Sequence, residues 1–217
     1  MVMRLRSLSV LLAVAMTAVC FAGCTENNAG AGGTGEANTR MVADAAIAYG
    51  MKEKDFNDVY DIMVEYDNVG SAYYVSKNVN DAQGCFLQLM SIGKNYAGSV
   101  TELTVAAANE TLGTGNFTSC AYQFIFLDND SAKQFYDTLA MYYQDMGGEV
   151  ASGEQDGFTY TLNYFEGSVA VDKEGLYLKD NMVIYVCAYT TIESSNTGFA
   201  SVVFKDVGVL DPVTIKK

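Results

Sequence analysis

Two hydrophobic periods alternate along the second half of this chain. Phe158, Tyr160, Leu162 and Tyr164 are spaced by single polar residues, the two-residue repeat of a half-buried strand. Upstream, Phe135, Tyr136, Leu139, Tyr142, Tyr143 and Met146 form the stripe of a helix. It starts after Asp128-Asn129-Asp130 and stops at Gly147-Gly148. Residues 119–127 read as a strand before that helix and 149–152 as a strand after it. Glu166-Gly167 turns the chain into a strand at 168–171, and Leu176-Tyr177-Leu178 is a short strand. Lys179-Asp180-Asn181 then turns into 182–190, which is apolar at both parities and predicts a strand at the centre of a sheet. Phe199, Val202, Val203 and Phe204 predict a closing helix with Gly208 as its stop.

The first half is less regular. Residues 41–49 are alanine-rich and helical in propensity, with Gly50 placed to cap the end. Phe56, Val59, Tyr60, Met63 and Val64 predict an amphipathic helix over 54–66, followed by a turn at Asp67-Asn68-Val69-Gly70 and a strand at 71–76. Asn80 or Asp81 is placed to start a helix through Phe86, Leu87 and Met90. Residues 100–108 suit strand or helix equally, and Gly113-Thr114-Gly115-Asn116 is a loop. The order predicts an α+β fold: an antiparallel sheet, a meander in its C-terminal half, with helices packed against it. The connections are too short for repeated parallel crossovers. A faint echo at an offset of 49 residues relates Ala72-Tyr73, Asn80-Asp81 and Phe86 to Ala121-Tyr122, Asn129-Asp130 and Phe135. Two similar strand–helix lobes, or the ordinary preference for Asn and Asp at helix starts, account for it.

The N-terminus changes the picture. Arg4 and Arg6 precede an apolar run over 8–19, shorter than the roughly 20 residues of a membrane span. Small residues and a cysteine follow, then a polar, glycine-rich segment, in the order of a secretory signal. Ala22-Gly23-Cys24 resembles the lipobox of bacterial lipoproteins. The resemblance implies that residues 1–23 are a signal peptide, that Cys24 is lipidated, and that the protein is held by lipid at the extracytoplasmic face of the cell membrane. Two or three acyl chains hold firmly where one does not, at about 0.8 kcal/mol for each buried CH₂. Residues 24–39 then carry the anchor and a flexible linker of Asn, Gly, Ala and Thr, and 40–217 form a single α+β domain.

Charge and composition narrow the function. The chain has a net charge of −13, and losing the signal removes two bases and no acid. Such a surface repels nucleic acid, so no nucleic-acid partner is expected. Histidine is absent. That removes Ser-His-Asp and Cys-His catalysis, histidine-based zinc sites and the usual general base near neutral pH. No cofactor or metal is expected. With Cys20 in the signal and Cys24 acylated, Cys85, Cys120 and Cys187 remain. They read as small buried hydrophobes, with a Cys85–Cys120 or Cys120–Cys187 bridge as the alternative.

Candidate polar clusters have structural readings. Asp128-Asn129-Asp130 is a helix cap rather than a calcium loop, since Ala132, Lys133 and Gln134 bring no set of oxygens. Glu149, Glu154 and Asp156 flank a hairpin, and Ser194-Ser195 lacks the glycines of a nucleophile elbow. Tyrosines are the remaining resource. Tyr73-Tyr74, Tyr142-Tyr143 and, on one strand face, Tyr160 and Tyr164 offer flat apolar surface with a hydroxyl and are the candidate ligand-binding residues. The resulting expectation is a cell-envelope lipoprotein whose domain binds an unknown protein or small molecule without catalysis. The alternatives are a carrier that captures a solute or peptide, and a hydrolase using paired carboxylates.

Overall fold

The structure, a computed structural model, describes residues 39–54, 71–77, 99–112, 115–143, 148–168, 170–191 and 198–216. The helices expected over 54–66 and after Asn80 fall outside the described residues, as do Ser194-Ser195, Cys85 and the N-terminal segment with Cys24.

The described chain is α+β. It begins with helix α1 (Met41–Ala48), then strands β1 (Lys52–Glu53), β2 (Ser71–Ser76), β3 (Val100–Leu112) and β4 (Gly115–Phe126). Helix α2 (Asn129–Tyr143) follows, then β5 (Glu149–Gln155), β6 (Phe158–Glu166), β7 (Ala170–Lys179) and β8 (Met182–Thr191). Helix α3 (Phe199–Val207) and a 3-10 turn (Pro212–Ile215) complete it. The strands make one 8-stranded sheet in the order β1-β2-β3-β4-β8-β7-β6-β5. Among the described strands only the edge pair β1–β2 is parallel. Strand β8, apolar at both parities, lies between β4 and β7 as its sequence demands.

Both faces of the sheet are covered, because both carry a hydrophobic core. On one face Tyr74, Leu103, Val105, Tyr122, Phe124, Phe126, Leu176 and Val183 meet Ala132, Phe135, Tyr136 and Leu139 of α2. Phe135 sits with its ring centroid 5.2 Å from those of Phe124 and Phe126. Full burial of such a side chain stabilises by about 1.5–3 kcal/mol. On the other face Ala106, Ala121, Leu162, Tyr177, Ile184 and Val186 meet Val42, Ala45 and Ala46 of α1 and Phe199, Val203 and Phe204 of α3.

Local chemistry sets the ends. Asp128 Oδ1 accepts from the Ser131 backbone N–H at 2.7 Å and caps α2, so the acidic triplet is a cap, and this bond holds the Asp128 carboxyl below its usual range. Gly208 takes the left-handed conformation that ends α3, at φ 77°. The β5–β6 hairpin turns through Asp156 (φ 52°) and Gly157 (φ 81°), the pairing of a tight hairpin.

Two expectations change in extent. The ambiguous stretch is the long strand β3, and the pieces at 168–171 and 176–178 are one strand, β7. The polar run Asp172-Lys173-Glu174 hid that continuity. The echo at offset 49 places Tyr73 in one core and Tyr122 in the other, on opposite faces of a single sheet.

Candidate functional site

Strand β7 is apolar in its second half and charged in its first. Alternate residues of a strand face opposite sides. Leu176 lies in the α2 core and Tyr177 in the opposite one. Asp172 and Glu174 therefore fall on the α2 face, and Lys173 on the other. This end of the sheet holds two polar arrangements, back to back.

On the α2 face, Phe165 of β6, Asp172 of β7 and Tyr189 of β8 are register partners and form a row across three strands. Phe165 is 53% exposed and Tyr189 48%, unusual for rings of this size. Asp172 between them is half-buried, and that desolvation raises its carboxyl to about 6. The next row inward runs Asn163, Glu174, Cys187, Cys120. Asn163 and Glu174 are buried, and Asn163 Oδ1 has no hydrogen-bond partner among the described residues. The row after that, Thr161, Leu176, Tyr185 and Tyr122, is registered in the same way. Here α2 arrives, with Tyr136 Oη 2.9 Å from Thr161 Oγ1. The aromatic–carboxyl row thus lies two steps beyond that contact with α2.

On the other face, Lys173 is almost fully buried and donates to Asp211 Oδ2 at 3.2 Å. Asp211 Oδ1 accepts from the Val213 backbone N–H at 2.9 Å, so one carboxylate neutralises the lysine and caps the 3-10 turn. Tyr164, beside Lys173 in register, donates its hydroxyl to Glu166 Oε2 at 2.6 Å. Burial first, then that hydrogen bond and the Glu166 charge, push the hydroxyl up to about 12. Lys216 closes on the same carboxylate oxygen at 2.5 Å. Hydrogen bonds from Lys216 and Tyr164 hold the Glu166 carboxyl below its ordinary value. These contacts fasten the C-terminal segment to β6 and β7.

Of the tyrosines singled out in the sequence, Tyr73, Tyr160 and Tyr164 lie on this second face. Tyr160 and Tyr164 share it, as period two requires, but neither is widely open. Tyr164 is 4% exposed. Tyr160 is half-buried and folds over Gly153 of β5, where a Cβ would meet its hydroxyl at 2.6 Å. Tyr73 and Tyr74 point to opposite faces, Tyr73 donating to Glu53 at 3.1 Å. The side chains of Tyr142 and Tyr143 are outside the described residues. Glu149 begins β5, whereas Glu154 and Asp156 lie at its far end beside the turn, so the structure does not gather these acids. No group of three or more Cys, Asp or Glu among the described residues is arranged to hold a metal ion.

Sequence reasoning missed Phe165, Asp172 and Tyr189. The row spans three strands, and only the register unites them. A lone acid next to a lysine inside a chain with 26 acidic residues carries no signal by itself.

No protein-family model matches this chain, and no curated protein matches it. Among solved structures it is similar to the extracellular domain of PknH from Mycobacterium tuberculosis, at 14% identity and a TM-score of 0.41. The likeness covers 67% of this chain and 90% of that one.

Proposed function

We propose that this protein is a lipid-anchored, extracytoplasmic domain of the bacterial cell envelope that works by binding rather than by turnover. Its binding face is the Phe165–Asp172–Tyr189 row, and its partner presents a cationic group beside apolar surface. One observation carries the binding reading: a half-buried carboxyl, raised by desolvation, lies in register between two exposed aromatic rings. Desolvating an acid costs free energy, and a core needs no acid there. An incoming cation restores a counter-charge to Asp172, while the ring faces of Phe165 and Tyr189 attract both cations and apolar groups. The lipobox-like Ala22-Gly23-Cys24 and the linker over 25–39 support the anchor and the location. No described helix is long and apolar enough to cross a membrane.

The test is cross-linking of the full chain in its own membranes, comparing wild type with a Phe165→Ser, Tyr189→Ser double variant and with Asp172→Asn. A partner held at pH 7.5, weakened at pH 5 and lost in the double variant is expected. For Asp172→Asn, weaker binding with no pH dependence is expected. Unchanged partners in the double variant would remove the row from consideration. Turnover of a substrate that disappears with one acidic or cysteine substitution would overturn the binding reading.

A further inference from the structure

Cys120 and Cys187 are Cα partners in the adjacent antiparallel strands β4 and β8. Both side chains lie on the α2 face, where Cys120 is buried, Cys187 is half-buried, and both are free thiols. Directly opposed residues in an antiparallel pair have Cα atoms about 4.5–5.5 Å apart. Disulfides form at about 4.4–6.8 Å, so this register puts the two within bridging range. The Cys187 thiol is pushed well up by its hydrogen bond with Cys120, then by burial and by the charges of Cys120, Glu174 and Asp172. It stays protonated at neutral pH and exchanges slowly. A pair so placed is suited to closing once and staying closed rather than to rapid switching.

We infer that Cys120 and Cys187 form an oxidation site that closes into a cross-strand disulfide through exchange with a disulfide oxidant outside the cytoplasm; the compartment, though not the pairing, rests on the proposed location. The half-buried Cys187 sulfur attacks a sulfur of the oxidant's disulfide through its small thiolate fraction, its proton having passed to solvent. One oxidant thiol leaves, and Cys187 is held in a mixed disulfide. Cys120 then attacks Cys187 Sγ, the mixed disulfide breaks, and the second oxidant thiol leaves. Two protein thiols are oxidised by two electrons, one oxidant disulfide is reduced to two thiols, and the two protons pass to them. The bond staples β4 to β8 two residues from Tyr189 and beside Glu174, under the binding row. It closes a loop of about 67 residues, so the oxidised form is expected to melt on the order of 10 °C above the reduced form.

The test starts from full-length protein extracted from its own membranes, reduced, then exposed to oxidised glutathione. Remaining thiols are alkylated under denaturing conditions and the peptides mapped by mass. The expected result is a mass loss of about 2 Da, a Cys120–Cys187 linked peptide and a single alkylated cysteine, Cys85. Cys85→Ser is expected to close equally well, and Cys120→Ser not at all. Glutathione adducts without a cross-link, or a cross-link through Cys85, would overturn the inference. Alkylation in intact cells before lysis separates the two claims. A chain that closes in the tube but carries five thiols in the cell, Cys20 and Cys24 among them, keeps the dithiol site and sinks the extracytoplasmic location.

Discussion

Tyr177 folds back over Gly175, two residues earlier on the same face of β7. A Cβ at position 175 would sit 2.6 Å from ring atom Cε2 and 2.5 Å from Cζ. Tyr177 is 1% exposed and donates its hydroxyl to the Leu210 carbonyl at 2.5 Å. The ring is therefore fixed at both ends, with Phe158 and Phe204 edge-on at 6.5 Å. Glycine here makes room for a tyrosine that ties the centre of the sheet to the C-terminal segment.

Gly175→Ala is accordingly expected to destabilise by about 1–3 kcal/mol through overpacking. Urea denaturation measures it. The double substitution Gly175→Ala, Tyr177→Ala should cost less than the sum of the two single changes, since the clash needs both side chains. Additive costs would place the effect of Gly175→Ala elsewhere.

Lys173 and Asp211 give a sharper contrast. The lysine side chain is 1% exposed, the aspartate 22%. Removing the carboxylate with Asp211→Ala leaves a buried ammonium unpaired and uncaps the 3-10 turn, an expected loss of about 3–5 kcal/mol. Lys173→Met leaves a partly exposed carboxylate, which water can serve, and should cost clearly less. The pair Lys173→Met, Asp211→Asn should lie near wild type. Thermal melts of the three variants rank them directly.

Gln123 shows how the sheet starts a helix. Arg40 at the head of α1 makes no side-chain cap. Gln123 of β4 supplies it instead, its Oε1 accepting from the buried Val42 N–H at 2.9 Å. The Nε2 atom has no hydrogen-bond partner among the described residues. Gln123→Leu removes a useful acceptor together with an unsatisfied donor, so the net expected loss is about 1 kcal/mol. The more specific readout is faster amide hydrogen exchange confined to α1. An unchanged exchange rate there would mean that packing alone holds the helix.

Much of this fold is written in local pattern. The alternation of Phe158, Tyr160, Leu162 and Tyr164 sets β6, and the apolar parity of 182–190 sets a central β8. Phe135, Tyr136 and Leu139 set the buried stripe of α2. Each is carried by neighbours within one element, where period decides which side chains share a face. What escaped sequence reading depends on partners distant in the chain. Asp172-Lys173-Glu174 reads as a break because one strand sends acids to one face and a lysine to the other. The lysine's partner, Asp211, is 38 residues away. Phe165 and Tyr189 read as ordinary strand residues, and only the pairing of β6, β7 and β8 places them around Asp172. The sequence alone leaves Cys120 a buried hydrophobe or a partner of Cys85 or Cys187; the β4–β8 register brings Cys120 and Cys187 face to face.

Asp172 yields the prediction with the clearest sign. Its folded carboxyl titrates near 6 against 3.8 for the free side chain, because burial disfavours the charged form. Between those values the folded protein holds a proton that the unfolded chain has released, so this group's contribution to stability falls as pH rises from about 4 to about 6. Above pH 6 the penalty is complete, on the order of 2 to 3 kcal/mol, since each tenfold change in proton affinity is worth about 1.4 kcal/mol. Asp172→Asn removes it. The variant is expected to be more stable than wild type at pH 7, and that advantage should shrink to nothing by pH 4. The difference between the two denaturation midpoints, followed from pH 4 to pH 8, isolates Asp172 from the other acids. A constant difference across that range would show that Asp172 is ionised and solvated in the folded protein. The cost that motivates a cationic partner would then vanish with it.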